Sequence, residues 1–252
     1  RFSNGFAYSF LIEGNIALTG VIRKEKNGVN LYVDRKVSAK HKKILRDTLT
    51  RILSLDFPLD EFRSVCRERG TESLLKLARK GWGRMLRCAN PWEDAVKTLC
   101  TTNASWPHTV QMCKVLVKEA GETTETGFKL FPTPSRILSS MHQDSIKKSL
   151  GYRFTYLKEL AGLSLGHDKW VLSPKVSLSE SELKERISSW KGFGPYATNH
   201  MMVLLGFHSY LPVDREVGKS IGVHKPGERF KSKNYIHFSD WGEYRFTAYK
   251  LS

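Results

Sequence analysis

The fold is decided by one stretch, Trp190-Lys191-Gly192-Phe193-Gly194-Pro195-Tyr196-Ala197-Thr198-Asn199-His200, which is followed by Leu211-Pro212-Val213-Asp214-Arg215. Residues 179–187 before it predict a helix, because Ser179 and Glu182 have the spacing of a capping box. Pro195 suits the first position of a second helix, and Gly206 is placed to end it. The sequence therefore predicts two helices joined by a Gly-Phe-Gly hairpin.

The hairpin itself predicts an anion site. Gly192 and Gly194 permit a tight turn with positive backbone angles and expose bare N–H groups. Free N–H groups at a helix N-terminus bind phosphate well. We expect Phe193 to point inward and hold the two helices together.

Asp214 follows Gly194 by 20 residues, directly after Pro212-Val213. The pattern Lys-Gly-Phe-Gly, a helix, and then Leu-Pro-Val-Asp resembles the helix-hairpin-helix DNA glycosylase superfamily. The Gly-x-Gly alone is weak, but the Asp at this distance makes the resemblance much more specific. The alternative is an ordinary αα-hairpin in which Asp214 is only a helix N-cap.

The charge of the chain points to a polyanionic partner. Among 252 residues, 41 Lys and Arg face 25 Asp and Glu, for a net charge of +16. Such an excess is typical of proteins that bind nucleic acid. A merely basic soluble protein is the alternative, but +16 is large for this length. No run of 18 apolar residues occurs, so we expect no membrane span.

The pattern along the chain predicts a mainly α fold with a small N-terminal antiparallel β-sheet, an α+β class. Strands are expected at 6–12, 16–22 and 30–33, with Asn27-Gly28 as a hairpin turn. Helices are expected at 39–53, 59–69, 71–80, 91–103, 108–120, 134–140, 143–150, 153–163, 180–189, 195–205, 214–221 and 240–250. We expect three domains: the sheet with flanking helices at 1–80, a helical domain at 81–140, and the hairpin domain with the C-terminal helix at 141–252.

The resemblance covers most of residues 80–250, in the branch with 8-oxoguanine DNA glycosylase and the bacterial 3-methyladenine glycosylase. It is carried by Gly83-Arg84-Met85-Leu86-Arg87, Asn90-Pro91-Trp92-Glu93, Cys100-Thr101-Thr102-Asn103, Phe131-Pro132, Leu150-Gly151-Tyr152-Arg153 and Asp240-Trp241-Gly242-Glu243-Tyr244. It implies an enzyme that extrudes a damaged base from duplex DNA before acting on it.

The resemblance also implies a wedge that fills the emptied base stack. Asn103 and Tyr152 match the family positions that do this, and Arg153 would lie beside the orphaned base. His108 stands where the 8-oxoguanine enzyme has an Arg that reads the opposite base. For Asn103 the alternative is a helix C-cap, which Asn suits.

By resemblance, Asp214 is the catalytic carboxylate. It would stabilise the positive charge that develops on the sugar as the base leaves. Tyr196 occupies the position where bifunctional members carry the Lys that forms a Schiff base. A phenol cannot form an imine, so Tyr196 predicts hydrolysis without efficient strand cleavage.

Three residues are expected to line the base pocket. His200 follows Tyr196 by four positions, so both lie on one helical face. Tyr249 falls where the 8-oxoguanine enzyme has a base-contacting Gln, and simple core packing is its equal alternative. An aromatic lining suits stacking on an electron-poor, damaged or alkylated base.

The DNA backbone is expected to meet the hairpin, through Lys191, Gly192, Phe193 and Gly194. Lys219 is a further candidate phosphate contact, although a solvated basic face explains it equally well. The resemblance implies no metal and no required cofactor, with a monovalent cation at the hairpin as the one candidate. No Cys follows Asp214, so the iron–sulfur cluster of some members is not expected.

The sequence thus predicts a monofunctional DNA glycosylase that acts as a monomer on double-stranded DNA containing a damaged or modified base, away from membranes. We expect it inside the cell, and in the nucleus if the source is a eukaryote. Two alternatives stay open. One is an oxidised-purine glycosylase with weak lyase activity, and the other is a DNA-binding module of this fold that has lost catalysis.

Overall fold

The computed structural model describes residues 5–12, 16–26, 28–166, 172, 177–214, 217–218 and 238–252. Contacts group the chain into two compact units, one made of residues 1–49 and 104–165, the other of residues 50–103 and 166–252. This grouping is by spatial packing, and each unit is discontinuous along the chain. The three-part division predicted at residues 80 and 140 follows the chain order, and it stays a prediction.

The sheet contains three antiparallel strands, β1 (Gly5–Ile12), β2 (Ile16–Glu25) and β3 (Gly28–Val33), in the order β1-β2-β3. Strand β2 pairs Leu18 with Phe10 on one side and Ile22 with Leu31 on the other. These alternate positions send apolar side chains to one face, and Phe10, Leu18 and Ile22 are buried. The predicted small sheet is confirmed, while Asn27 of the predicted turn lies outside the described residues.

Eleven α-helices are present within the described ranges. They are α1 (Ala39–Ile52), α2 (Leu59–Glu68), α3 (Glu72–Arg79), α4 (Pro91–Thr101), α5 (Trp106–Ala120), α6 (Pro134–Ser139), α7 (Asp144–Leu150), α8 (Arg153–Leu165), α9 (Glu180–Ser188), α10 (Pro195–Leu204) and α11 (Arg245–Leu251). Most agree with the predicted bounds to within one or two residues, because their starts carry Pro, Ser or Asn caps that the sequence displays.

In the first unit, helices α5 and α7 pack together, as do α6 and α8. These helices carry fully buried aliphatic side chains, including Leu116, Ile146 and Leu157. The loop after α5 is bonded to the sheet, since Thr19 Oγ1 lies 2.7 Å from Thr126 Oγ1. The unit therefore has its own apolar core and a hydrogen-bonded rim.

In the second unit, α10 packs against both α4 and α9, and α2 packs against α3. One apolar cluster joins α2 and α3 to the C-terminal segment through Phe62, Leu75, Trp241 and Tyr244.

The predicted helix at 240–250 is partly wrong. Residues Ser239–Tyr244 form a 3-10 helix, and the α-helix begins only at Arg245. Gly242 has φ 51° and ψ −121°, values outside the helical region that interrupt the helix. Of the helix predicted at 214–221, Val217 and Gly218 are helical and Asp214 precedes them without being helical. The other residues of that range lie outside the described residues.

No helix in the described parts of the chain combines the length and the apolar character needed to cross a membrane.

Candidate active site

Helix α9 leads into the hairpin and begins with the predicted capping box. The Ser179 N–H donates to Glu182 Oε2 at 2.9 Å, and the Glu182 N–H donates to Ser179 Oγ at 3.3 Å. Two N–H groups that the helix start would leave unpaired are thereby satisfied. The box fixes where α9 begins and hence where the hairpin follows.

The hairpin turn uses only one of its glycines for a positive backbone angle. Gly192 has φ 88°, which favours glycine strongly. Gly194 has φ −74° and ψ −173°, so the prediction of a positive angle there is wrong. Gly194 is the N-cap of α10 and precedes Pro195, and a residue before proline avoids the helical region. An added Cβ at Gly194 would meet nothing within 4 Å, so this helix end is open to a ligand.

Phe193 packs inward, as predicted. Its side chain is buried, and its ring meets Trp190 edge-on with centroids 5.0 Å apart. The Thr198 hydroxyl donates to the Phe193 carbonyl at 3.2 Å, which ties the turn to the first turn of α10. The hairpin is thus held from both helices, while Lys191 at its outer edge is exposed.

Helix α10 ends where predicted and orients the segment that follows. Gly206 has φ 105°, its N–H donates to the Val203 carbonyl, and the Phe207 N–H donates to the Met202 carbonyl. This pair of bonds is the Schellman motif. The Asn199 side-chain amide then donates to the Leu211 carbonyl at 3.0 Å, which fixes the Leu-Pro-Val-Asp segment against α10.

Asp214 lies at the end of that segment, half-buried. Its Oδ1 accepts a hydrogen bond from the Val217 N–H at 2.8 Å, and its carbonyl accepts from the Gly218 N–H at 2.9 Å. The N-cap that the alternative interpretation expects is therefore present. The cap engages one carboxylate oxygen and orients the group, which is compatible with catalysis by the other oxygen. The catalytic role stays a prediction.

Tyr196 and His200 lie together one turn apart on α10. Their rings are nearly parallel, at 15°, with centroids 5.8 Å apart. Burial raises the pKa of Tyr196, the charge of Asp214 raises it further, and a hydrogen bond with Thr101 acts in the opposite direction. Burial lowers the pKa of His200 to about 4, against the opposing influence of Asp94 and Asp214. The structure therefore brings Tyr196, His200 and Asp214 into one electrostatic neighbourhood, with both rings neutral near pH 7.

Asp94, on α4, is a site residue that the sequence did not single out. It is buried, accepts from the Cys88 N–H at 2.8 Å, and pairs with Arg51. Its neighbour Glu93 is also buried and pairs with Lys97 at 2.6 Å. Buried carboxylates require such partners. The sequence predicted a helix beginning at Pro91, but nothing in it indicated that Asp94 lies near His200.

Tyr249 is partly buried and packs against an apolar cluster, which is close to its alternative interpretation. It lies against the cluster of Val203, Leu211, Val213, Val217 and Phe246. Its ring also meets Phe238 at 6.0 Å. Because Val213 and Val217 flank Asp214, this packing supports the carboxylate segment. A contact of Tyr249 with a base stays a prediction.

Asn103 is exposed immediately after α4, in the second unit. It has φ 46°, a left-handed conformation that Asn tolerates better than most residues. Thr102 is the C-cap, so Asn103 takes the position that follows it. This matches the helix-ending alternative, and it also presents the side chain at a turn. The wedge role stays a prediction.

Three other predicted DNA contacts lie in the first unit. Tyr152 is 51% exposed, and the Arg153 guanidinium lies over its ring at 4.4 Å. Arg153 itself is buried, so it supports the exposed ring from within the unit. His108 is exposed in the first turn of α5, where its N–H donates to Ser105 Oγ at 3.4 Å. Lys219, the remaining predicted phosphate contact, lies outside the described residues.

Among the described residues, no group of three or more His, Cys, Asp or Glu side chains is arranged to hold a metal ion. The expectation of a monovalent cation at the hairpin remains a prediction.

No protein-family model matches the chain. An N-glycosylase/DNA lyase from Saccharomyces cerevisiae is 24% identical in an alignment 154 residues long, which covers 54% of this chain and 40% of the length of that relative.

Solved structures that are similar to nearly all of the chain include the following two. One is the apo form of an 8-oxoguanine glycosylase/lyase from Clostridium acetobutylicum, with a TM-score of 0.72 and 19% identity, covering 96% of this chain and 87% of that one. The other is a 3-methyladenine DNA-glycosylase from Archaeoglobus fulgidus, with a TM-score of 0.72 and 18% identity, covering 98% of this chain and 88% of that one.

The clostridial protein has also been solved with double-stranded DNA containing cytosine opposite 8-oxoG, and that structure has a TM-score of 0.68, 19% identity, and coverage of 96% and 87%. The proteins that this chain resembles are thus DNA glycosylases. The chain has the helix-hairpin-helix DNA glycosylase fold, mainly α with a small antiparallel sheet, which confirms the resemblance seen in its sequence.

Proposed function

We propose that this chain is a monofunctional DNA glycosylase. It flips a damaged or modified base out of duplex DNA and hydrolyses the N-glycosidic bond, with Asp214 as the essential carboxylate. The base is a modified purine or another lesion that leaves readily. Extrusion is required because a stacked and paired base hides the reacting atoms.

One observation carries the proposal: Tyr196, at the position of the family's Schiff-base Lys, shares an electrostatic neighbourhood with Asp214. The carboxylate can stabilise charge on the sugar and orient or deprotonate a water. The phenol cannot attack the sugar to form an imine. Together these groups support hydrolysis and disfavour strand cleavage.

The orientation of Asp214 gives further support. Its Oδ1 is held by the Val217 N–H, so the carboxylate has a fixed direction and Oδ2 is the oxygen that would face a sugar. Preorganised charge of this kind stabilises a transition state without reorganisation during the reaction. The open N-terminus of α10 at Gly194 adds a place for a DNA phosphate near the same segment.

The partner in this proposal is double-stranded DNA with a damaged base. A solved DNA complex of a protein with this fold supports that choice, and so does the net charge of +16. We propose that the protein acts as a monomer, inside the cell, without a required cofactor.

The second candidate is an oxidised-purine glycosylase with weak lyase activity. The similarity to the yeast N-glycosylase/DNA lyase favours it. Similarity of fold does not discriminate, because the oxidised-purine enzyme and the 3-methyladenine enzyme have the same TM-score. Tyr196 favours the first candidate, because the lyase activity of the second needs an amine that attacks the sugar.

The experiment is a screen of labelled duplexes that each carry one defined lesion. Abasic sites are revealed by hot alkali, and strands cut before alkali report lyase activity. The proposal expects at least one lesion to yield abasic sites in otherwise intact strands. A panel of alkylated, deaminated and oxidised bases with no abasic product would contradict it and leave the non-catalytic module as the better account.

A further inference from the structure

A run of positive charge lies where the chain passes from the sheet into α1. Residues 35–46 contain six Lys and Arg, one His, and no Asp or Glu. These 12 residues therefore carry +6 of the net charge of +16, so much of the excess is concentrated in one short segment. The six cations are Arg35, Lys36, Lys40, Lys42, Lys43 and Arg46.

The cations of α1 lie on the side of the helix that faces away from the core. Leu45 and Ile52 are both 4% exposed, and their spacing of seven residues places them on one side of the helix. Lys42, Lys43 and Arg46 are exposed on the opposite side, within one turn of each other. We call these three residues the basic face of α1.

The start of α1 is held in place by a capping residue. Ser38 Oγ accepts a hydrogen bond from the His41 N–H at 3.2 Å, and the Ser38 carbonyl accepts from the Lys42 N–H at 2.9 Å. These bonds satisfy donors that a helix start would otherwise leave unpaired. The basic face is thus carried by a fixed helix and not by a loop.

The position of these cations is unfavourable for the free protein. Lys40 and Lys42 lie in the first turn of α1, which contains no acidic residue, although the helix dipole favours anions at this end. Lys42 and Arg46 are four positions apart and Lys43 and Arg46 three, so like charges repel along the face. Asp47, the first acid after the run, lies beyond the first turn. Segments that break several local rules at once are typical of functional sites.

Ion pairing within the protein does not account for the basic face. Arg35, at the beginning of the run, pairs with Glu125 at 2.8 Å. Lys42, Lys43 and Arg46, by contrast, make no ion pair with any residue that the structure describes. A purely solvated surface is the competing account for such charges, and it predicts no specific loss when they are removed.

We propose that the basic face of α1 is a second surface for the phosphate backbone of duplex DNA, one that requires neither a lesion nor base contacts. From Lys40 to Arg46 the helix rises about 9 Å, a length over which one DNA strand presents about three phosphates. Residues 35–46 belong to the first unit, whereas the hairpin belongs to the second. The inference goes beyond the proposed function and does not depend on excision.

The test compares the wild type with three triple variants. The neutral variant carries Lys42→Gln, Lys43→Gln and Arg46→Gln, and the charge-retaining variant carries Lys42→Arg, Lys43→Arg and Arg46→Lys. The control removes the same charge from exposed positions at the C-terminal ends of α2 and α3, where the helix dipole favours cations. It carries Arg67→Gln, Lys76→Gln and Lys80→Gln.

The first measurement is thermal unfolding at low salt. Without DNA, the neutral variant should melt about 2 °C above the wild type, because repulsion along the face and the conflict with the helix dipole are relieved. Saturating lesion-free duplex should reverse this order, since the wild type binds it more tightly. A neutral variant that melts well below both the wild type and the control would show that the cations support the fold, and it would overturn the inference.

The second measurement is binding of lesion-free duplex DNA as a function of salt. Each phosphate contact contributes about 0.9 to the slope of log K against log salt, so the neutral variant should lose about fortyfold less affinity than the wild type between 50 and 200 mM salt. The charge-retaining variant should keep the wild-type slope, and the control should stay within about one unit of it. A neutral variant with the wild-type slope would overturn the inference, and so would a wild type that does not bind the duplex at low salt.

A third arm uses vesicles of equal parts phosphatidylserine and phosphatidylcholine, because an anionic membrane surface also attracts clustered Lys and Arg. We expect the neutral and control variants to differ from each other on DNA and not on vesicles. Unchanged DNA binding by the neutral variant, together with a specific loss of vesicle binding, would overturn the inference and assign the basic face to a membrane surface.

Discussion

The ring of Tyr196 lies nearly parallel to that of His200, with 15° between the planes and 5.8 Å between the centroids. Because the pKa of His200 is lowered to about 4, this pair is uncharged near neutral pH. Two neutral aromatic rings beside a carboxylate form a surface that favours electron-poor bases through stacking. The relationship links the hairpin, which positions Tyr196, to the chemistry proposed for Asp214.

Acid should destabilise the protein below about pH 6.5. Burial lowers the pKa of His200 and of His208 to about 4, whereas both titrate near 6.5 when unfolded. Between these values the unfolded state binds more protons, so the free energy of unfolding falls as pH falls and levels off below about pH 4. For His208, which is 5% exposed, the slope approaches about 1.4 kcal/mol per pH unit.

Chemical denaturation from pH 7.5 to 4 checks this, with His208→Gln and His200→Gln as variants. Each variant should reduce the slope of the free energy of unfolding against pH, whatever it does to the absolute stability. An unchanged slope in both would mean that other groups cause the acid sensitivity.

Asp214→Asn should keep DNA affinity and lose nearly all excision, by about a hundredfold to a thousandfold or more. The amide preserves the shape of the side chain, and its oxygen can still accept from Val217, but the charge at the sugar is lost. Single-turnover excision and binding are measured on the same lesion duplex. Asp144→Asn is the control, since Asp144 is an exposed acid in the first turn of α7. Near wild-type excision by Asp214→Asn would refute the proposed mechanism.

DNA affinity should fall steeply with salt. Neutralising several phosphates releases counterions, and six such contacts predict a loss on the order of a thousandfold between 50 and 200 mM salt. Lys191→Ala should weaken binding and reduce the slope of log K against log salt by about one. A binding constant indifferent to salt would contradict the inference drawn from the net charge of +16.

The wedge is tested by Asn103→Ala together with Tyr152→Ala. These changes should weaken base flipping more than non-specific binding, because only the extruded state has a gap to fill. Fluorescence of 2-aminopurine placed beside the lesion reports the flip. Phe128→Ala is the control, since Phe128 is an aromatic side chain of similar exposure in a loop. A signal like that of the wild type would remove both residues from the wedge.

The sequence predicted the local elements well because their determinants are local. The capping box of Ser179 and Glu182, the Pro195 helix start and the Gly206 stop are all seen. Where local signals were ambiguous, the backbone conformation differs from the prediction. Gly194 keeps an extended backbone before Pro195, and Gly242 interrupts a helix that periodicity alone would continue.

The site was predicted only in part, because much of it depends on packing between helices distant in the chain. Asp94 and Thr101 come from α4, about a hundred residues before Tyr196 and His200. Nothing in their local sequence tells which residues of α10 they meet. The resemblance identified Tyr196, His200 and Asp214 residue by residue, whereas their neighbours on α4 follow only from the three-dimensional structure.

The most direct test of the account is borohydride trapping during excision of the best lesion from the screen. With a phenol at position 196 in place of an amine, no covalent enzyme–DNA adduct should form, and the DNA strand should stay intact until hot alkali cuts it at the abasic site. A known bifunctional lyase on the same duplex confirms that trapping works. Efficient trapping of this protein, with strand cleavage before alkali, would contradict the account and would make Lys191 or Lys219 the first candidate for the attacking amine.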